Sequence, residues 1–170
     1  MLGAGQGTRL RPYSEIIPKV LLPVGKQPCL RWIIDSIQSQ GFEDIFICCL
    51  KKDVGLFRHE FRDLPKIQYV VTENPVGSAG QFAMMKPYIR EDFAIWYGDG
   101  LIQLNLHDLL EYHKAMRSDA TLVVTPNVRL EFGVVHSNSE TNRITGFDEK
   151  PYIGKNVWTG VAVFKPEMKR

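Results

Sequence analysis

The sequence predicts an α/β fold, a three-layer sandwich around a mostly parallel central sheet, with additional β-strands in the C-terminal third. Three observations carry this. Apolar segments of strand length alternate with segments of helical period from the N-terminus to about Thr125, the pattern of βαβ units. Turn residues (Gly3, Thr72-Glu73, Gly98-Asp99) follow the apolar segments directly. Beyond Pro126 the helical periods stop and short β candidates separated by turn residues take over.

Each element has its own signal. Gly3, Gly5 and Gly7 form a glycine-rich turn near the start. Leu30, Ile33, Ile34 and Ile37 recur at i, i+3, i+4, i+7 and predict a helix, with Gly41 as its stop. Ile45–Leu50 is a buried strand. Asp53 is expected to cap a short helix carrying Leu56, Phe57 and Phe61. Ile67–Thr72 is the next strand, and Ser78 is expected to cap a helix ending near Pro87. Phe93–Tyr97 is a strand running into Gly98-Asp99-Gly100. Asn105 is placed to cap a helix whose face carries Leu106, Leu109, Leu110 and His113. Ala120–Thr125 is a further strand, followed by β candidates at Gly133–His136, Arg143–Phe147 and Val157–Phe164. There is no internal repeat and no low-complexity linker, so residues 1–170 read as a single domain. In open α/β sheets ligands sit beyond the carboxyl ends of the strands. The glycine turn, Thr72-Glu73 and Gly98-Asp99 should therefore converge on one edge.

Composition narrows the classes. An apolar content of 44% over 170 residues is enough to bury a core. A net charge of +2 with 24% charged residues excludes a strongly basic nucleic-acid footprint. No segment approaches the roughly 20 apolar residues of a membrane span, and no charged n-region leads into an apolar signal. The three cysteines, Cys29, Cys48 and Cys49, cannot all pair, and Cys48-Cys49 lies inside an apolar strand, so buried free thiols are expected. The expected location is cytoplasmic, without nucleic-acid or membrane partners. His59, His107, His113 and His136 show no metal-ligand spacing.

The N-terminal string Gly3-Ala4-Gly5-Gln6-Gly7-Thr8-Arg9-Leu10-Arg11-Pro12, followed by Pro18-Lys19-Val20-Leu21-Leu22-Pro23-Val24, is the most informative segment. Alternating glycines let a backbone turn sharply, with amide N–H groups free to bind anions. Arg9, Arg11 and Lys19 add fixed positive charge, which together suits a triphosphate. The spacing is neither that of a P-loop nor that of a dinucleotide fingerprint, since Leu10 stands where the third glycine belongs. A Gly-rich surface turn beside a solvated basic face is the plainer alternative. Asp99, a hard carboxylate at a strand end between two glycines, can present oxygen to Mg²⁺; an ordinary Asp-Gly turn is the alternative. Glu73, directly after an apolar segment, is by itself a solvated loop acid.

The string resembles the signature of the nucleoside-diphosphate-sugar pyrophosphorylases, the sugar-1-phosphate nucleotidyltransferases, mannose-1-phosphate guanylyltransferases among them. Further elements occur in the family order. Glu73-Asn74-Pro75-Val76-Gly77-Ser78-Ala79-Gly80 resembles E-x-P-x-G-T-A-G. Tyr97-Gly98-Asp99 resembles the metal motif N-G-D, with Tyr97 where the family has Asn. Phe132-Gly133-Val134-Val135 resembles Y-G-V-V, Phe147-Asp148-Glu149-Lys150-Pro151 resembles F-x-E-K-P, and Trp158-Thr159-Gly160-Val161 resembles N-x-G-I/V.

The resemblance implies the Rossmann-like nucleotide-diphospho-sugar transferase fold and the reaction NTP + sugar 1-phosphate → NDP-sugar + pyrophosphate, with Mg²⁺ as cofactor. It implies Arg9, Lys19 and Asp99 as catalytic residues, Asp99 also binding the metal. Leu2, Gly3, Ala4, Gly5, Gly7, Thr8, Arg9, Thr72, Glu73 and Gly77 would bind the nucleotide, and Gly133, Glu149, Lys150, Thr159 and Gly160 the sugar phosphate. Glu73 favours GTP with mannose 1-phosphate over dTTP or UTP with glucose 1-phosphate. A homo-oligomer is left open. The other class is a non-catalytic nucleotidyltransferase-like regulatory or assembly module, and retention of Arg9, Lys19, Asp99, Glu149 and Lys150 separates the two in favour of the enzyme. The family implies a longer first strand than Met1–Leu2 and a second metal-binding aspartate further along than Pro166. The segment alone is therefore expected to bind nucleotide better than it turns it over.

Overall fold

The computed structural model describes residues 1–5 and 7–169. After a 3-10 turn at Thr8–Leu10 come helix α1 (Tyr13–Ile16), a 3-10 turn at Lys19–Leu21 and the hairpin β1 (Pro23–Val24) and β2 (Gln27–Pro28). The chain continues through α2 (Cys29–Gln38), β3 (Phe46–Leu50), α3 (Val54–Glu60), β4 (Gln68–Thr72), α4 (Gly77–Met85), β5 (Phe93–Trp96), α5 (Leu106–Ala115) and β6 (Ala120–Thr125). Strands β7 (Val134–Ser137), β8 (Ile144–Asp148) and β9 (Val157–Phe164) complete it.

β3 and β4 pair in parallel from Phe46↔Gln68 to Leu50↔Thr72. Leu2 forms parallel bridges to Cys48 on one side and Tyr97 on the other. The Gly3 amide donates to Cys48 O at 2.9 Å and the Gly98 amide to Leu2 O at 3.2 Å, so the Met1–Leu2 pair runs between β3 and β5. The parallel expectation holds for this portion. β9 departs from it: it pairs antiparallel with β5, from Phe93↔Phe164 to Trp96↔Val161, and β6 flanks its far side.

Burial follows from position. β3, with neighbours on both sides, is buried along Ile47–Leu50, whereas β4 alternates buried Val70 and Thr72 with exposed Val71. Cys48 and Leu50 join Ala4, Val70, Met85 and Ile89 in one apolar cluster, which α4 covers through Met85. Ile47 points to the opposite face, where the fully buried Phe57 of α3 packs beneath Gly3. Helices therefore cover both faces of the parallel strands, as the three-layer prediction requires. The described residues divide into two compact units, Met1–Leu122 with the segment from Gly160 onward, and Val123–Thr159. The second unit holds the antiparallel β7–β8 hairpin and an antiparallel bridge between Arg129 and Tyr152.

Asn105 caps α5 as expected, its side chain accepting from the His107 amide at 3.0 Å and the Asp108 amide at 3.4 Å. His113, on the buried face of that helix, places Nδ1 2.7 Å from Thr121 Oγ1. Other caps need correction. Asp53 occupies the cap position of α3 without a side-chain cap: as the last residue of the 3-10 turn Lys51–Asp53 it has φ −101° and ψ −10°, outside the extended region from which a capping side chain reaches the second and third helical amides. Ser78 lies inside the first turn of α4, which begins at Gly77, where φ is +68°. α2 ends at Gln38 with Ser39 as its C-cap, and Gly41, at φ +85°, closes the turn that follows. All three cysteines are free and buried, and no helix among the described residues is long and apolar enough to cross a membrane.

Candidate active site

In the first unit the strand ends β4, β3, Leu2 and β5 lie side by side and point one way, so Glu73, Lys51, Gly3 and Gly98 follow one another along a single sheet edge. This is the convergence predicted from the sequence. A Cβ on Gly3 would lie 2.9 Å from Cys48 O, so only glycine passes between β3 and the loop. Gly7 has φ +59°, and a Cβ there would come within 3.0 Å of Ser14 Cβ and 3.2 Å of Lys19 Cβ. The glycine loop thus folds back onto the segment that carries Lys19. Ser14 Oγ is buried beside it with no hydrogen-bond partner among the described residues. Gly5, Thr8 and Arg9 are exposed at the loop's outer side, and Gln6 lies outside the described residues. Arg11 pairs with Glu15 on the surface at 3.5 Å.

Lys19 and Asp99 are brought together across 80 residues of sequence: the Lys19 ammonium donates to Asp99 Oδ2. Their side chains are 40% and 37% exposed, open enough for a ligand to reach. Asp99 is held there by its neighbours. A Cβ on Gly98 would meet Val20 Cγ1 at 2.9 Å and Leu2 O at 3.1 Å, so the chain before Asp99 lies tight against the first strand. The Gly100 amide donates to Tyr97 O at 3.1 Å, and Trp96 Nε1 donates to Gly100 O at 2.9 Å. Tyr97 packs its ring against Gly160, where φ is +88° and a Cβ would fall 3.1 Å from Tyr97 Cβ. The Cys29 thiol is pushed up, first by burial and then by the Asp99 carboxylate, with Lys19 opposing. It stays protonated and inert.

On the β4 side, Thr72 is buried and its hydroxyl donates to Asn74 O at 2.8 Å, shaping the turn that presents Glu73. Glu73 is exposed and accepts from Lys51 Nζ at 2.5 Å. Gly80 is required by packing, since a Cβ would sit 2.6 Å from Val76 Cβ. Gln81, buried on α4, accepts the Ala4 amide on Oε1 at 3.0 Å. The helix that follows Glu73 and begins at Gly77 is thereby tied to the glycine loop. Sequence reasoning missed Gln81, Lys51 and Ser14. Polar residues inside or beside the recognised motifs were the only signal for them.

Gln81→Leu is expected to leave the Ala4 amide buried and unpaired, at a cost of about 1–3 kcal/mol. Gln81→Met, which keeps the length of the side chain but not its acceptor, should cost about as much, because the loss follows the hydrogen bond. Urea unfolding of both variants checks this, and a near-normal Gln81→Met would show that the hydrogen bond is not what matters.

In the second unit, Gly133 faces the Phe147 ring, whose Cζ is 2.3 Å from where a Cβ would lie. Glu149 and Lys150 are exposed; Lys150 has φ +47° and its carbonyl accepts from Arg129 Nε at 2.6 Å. The preceding Asp148 pairs with His136 Nε2 at 2.7 Å. The Thr159 hydroxyl donates to Val123 O at 2.8 Å. Of the expected sugar-phosphate residues, Gly133, Glu149, Lys150 and Thr159 thus belong to the second unit, whereas Gly160 belongs to the first.

Fold and edge together define an α/β protein with a glycine loop at the carboxyl edge of its parallel strands and a lysine–aspartate pair beside it. The profile of the nucleotidyl transferase family matches residues 1–170, and the chain belongs to that family. It is 30% identical over 179 residues to a mannose-1-phosphate guanyltransferase of Pichia angusta, covering 99% of this chain and 49% of that protein. It is 28% identical over 190 residues to a UTP–glucose-1-phosphate uridylyltransferase of Synechocystis, again covering 99% of this chain and 49% of the relative. Among solved structures, HddC of Yersinia pseudotuberculosis complexed with GMP-PN superposes with a TM-score of 0.74 at 20% identity, covering 98% of this chain and 76% of that one. The chain spans about half the length of the curated relatives it matches.

Proposed function

We propose that the protein transfers a nucleotidyl group from an NTP to a sugar 1-phosphate, giving an NDP-sugar and pyrophosphate, with residues 1–170 contributing to a single catalytic domain. The observation that carries this is the Lys19–Asp99 pair beside a glycine loop at the carboxyl edge of parallel strands. The loop amides of Gly5, Gly7 and Thr8 and the Arg9 guanidinium would hold the triphosphate, a guanidinium bridging two phosphate oxygens as pyrophosphate leaves. Lys19 would move from Asp99 to a phosphate oxygen. The nucleophile is a phosphate oxygen of the sugar phosphate, largely ionised at neutral pH with a second pKa of about 6, so no general base is required. Positioning and charge neutralisation then supply the catalysis.

Asp99 would hold Mg²⁺. Among the described residues no three His, Cys, Asp or Glu side chains gather as a closed cation site. A single half-exposed carboxylate between glycines nonetheless fits an ion that keeps waters and is bound through one or two carboxylates plus substrate phosphates. When bound, Mg²⁺ neutralises charge developing on the phosphates.

Glu73 supports GTP with mannose 1-phosphate over UTP or dTTP with glucose 1-phosphate, because guanine offers its carboxylate two adjacent donors. The sugar phosphate would be taken by Gly133, Glu149, Lys150, Thr159 and Gly160. Buried free cysteines support a cytoplasmic setting. The decisive assay is pyrophosphate release from GTP, dTTP, UTP, CTP and ATP with mannose or glucose 1-phosphate. GTP with mannose 1-phosphate is expected to be fastest, and Arg9→Ala to slow it on the order of 10²-fold. Preference for UTP or dTTP would overturn the guanylyl assignment alone. Nucleotide binding unchanged in Arg9→Ala, Lys19→Ala and Asp99→Asn alike would favour the non-catalytic module, which has no use for those charges.

A further inference from the structure

We propose that Lys51 and Glu73 together read the Watson–Crick edge of guanine, which makes Lys51 a specificity-determining residue of the nucleotide site. The inference rests on the guanylyl reading above. Lys51 and Glu73 are the first residues beyond β3 and β4, adjacent parallel strands whose last paired residues are Leu50 and Thr72. Both therefore emerge at the edge where Gly3 and Gly98 emerge. Gln81, on the helix that follows Glu73, is hydrogen-bonded to Ala4 of the glycine loop, so the Glu73 segment and the glycine loop are physically linked. Lys51 Nζ and Glu73 Oε1 are 2.5 Å apart, with side chains 65% and 70% exposed. A pair this exposed adds little to folding, so stability does not account for it.

The chemistry of the pair is directional. An ammonium beside a carboxylate presents donors next to two acceptors. Guanine presents the complement in the same order: the O6 acceptor, then the N1 and N2 donors. Lys51 would donate to O6 while the two Glu73 oxygens accept from N1–H and N2–H. Uracil and thymine offer an acceptor, one donor and a second acceptor, so one Glu73 oxygen would face a carbonyl. Adenine places its amino donor against the ammonium and its ring acceptor against the carboxylate. Cytosine likewise sets its amino donor against Lys51 and its two acceptors against Glu73. A site whose charged groups face unmatched partners disfavours that base to the extent that the bound base takes those groups out of water.

Calorimetric titration with GTP, ITP, ATP, UTP and inorganic tripolyphosphate tests this in the unmodified chain, Lys51→Met and Glu73→Gln. The unmodified chain should bind GTP tightest, with ITP weaker because it lacks the N2 amino group. Lys51→Met should weaken GTP and ITP on the order of 10-fold, while tripolyphosphate, which makes no contact with Lys51, stays within about twofold and ATP, whose amino donor no longer faces an ammonium, binds no more weakly than before. Glu73→Gln should bring the GTP-to-ITP ratio close to one. Equal loss for all ligands in Lys51→Met would make Lys51 a phosphate contact and overturn the proposal, as would unchanged GTP binding. Both outcomes leave the guanylyl reading standing if the unmodified chain still prefers GTP. GTP bound no better than ATP or UTP by the unmodified chain overturns that reading, and the pair's role with it, before any variant is considered.

Discussion

Asp99→Asn is expected to lower pyrophosphate release on the order of 10²–10³-fold, with the fold intact. Asn keeps the shape of the side chain but removes the charge that attracts a hard cation and holds Lys19 in place. Lys19→Met should lose a similar factor. The two residues are ion-paired across 80 positions, so the double variant should lose much less than the product of the single losses, the signature of groups acting as a unit. Stability should hardly change, because the pair is substantially exposed and such pairs contribute roughly 0–1 kcal/mol. Steady-state rates in saturating Mg²⁺, with circular dichroism as the folding control, check the cycle. Near-normal turnover in Asp99→Asn would remove this carboxylate from the mechanism, and strict additivity would separate the roles of the two residues.

Phe57→Ala is expected to produce the largest loss of stability, about 3–5 kcal/mol for a fully buried aromatic truncated in a core. In a chain of this size that lowers Tm on the order of 10 °C. The effect should reach the site. The Phe57 ring lies 3.5 Å from where a Gly3 Cβ would be, and Ile47 lies beside it, so the ring is part of the floor under the start of the glycine loop. Removing it leaves a cavity next to the amides that would bind phosphate, and nucleotide affinity should fall even where the variant is still folded. Denaturant unfolding and nucleotide titration well below the new midpoint measure the two effects separately. A loss under about 1 kcal/mol would show that the neighbouring side chains collapse into the space.

Much of the fold was legible because its signals are local. β3 reads as an uninterrupted apolar run because neighbours cover both of its faces and both its edges are hydrogen-bonded. The α2 face follows from Leu30, Ile33, Ile34 and Ile37, all buried as their spacing requires. The Asn105 cap was readable because its hydrogen bonds reach only two and three residues along the chain. The failed caps were readable only as positions. Whether Asp53 caps α3 depends on the preceding 3-10 turn, which sets its backbone outside the extended region a capping residue needs.

Residue types at motif spacing were enough to mark the glycine loop, Lys19, Asp99 and Glu73 as candidates and to place them at strand ends. Their partners were not available at that level. Lys19 with Asp99, Ala4 with Gln81, and Lys51 with Glu73 meet across separations of 80, 77 and 22 residues. Strand order, parallel register and the side-chain packing of α4 decide each of these meetings, because they set which distant residues share an edge. The sequence by itself determined which residue types the edge carries. Tertiary structure alone decided which charges face one another there: pairing is a property of neighbouring strands, and a single strand does not record its neighbours.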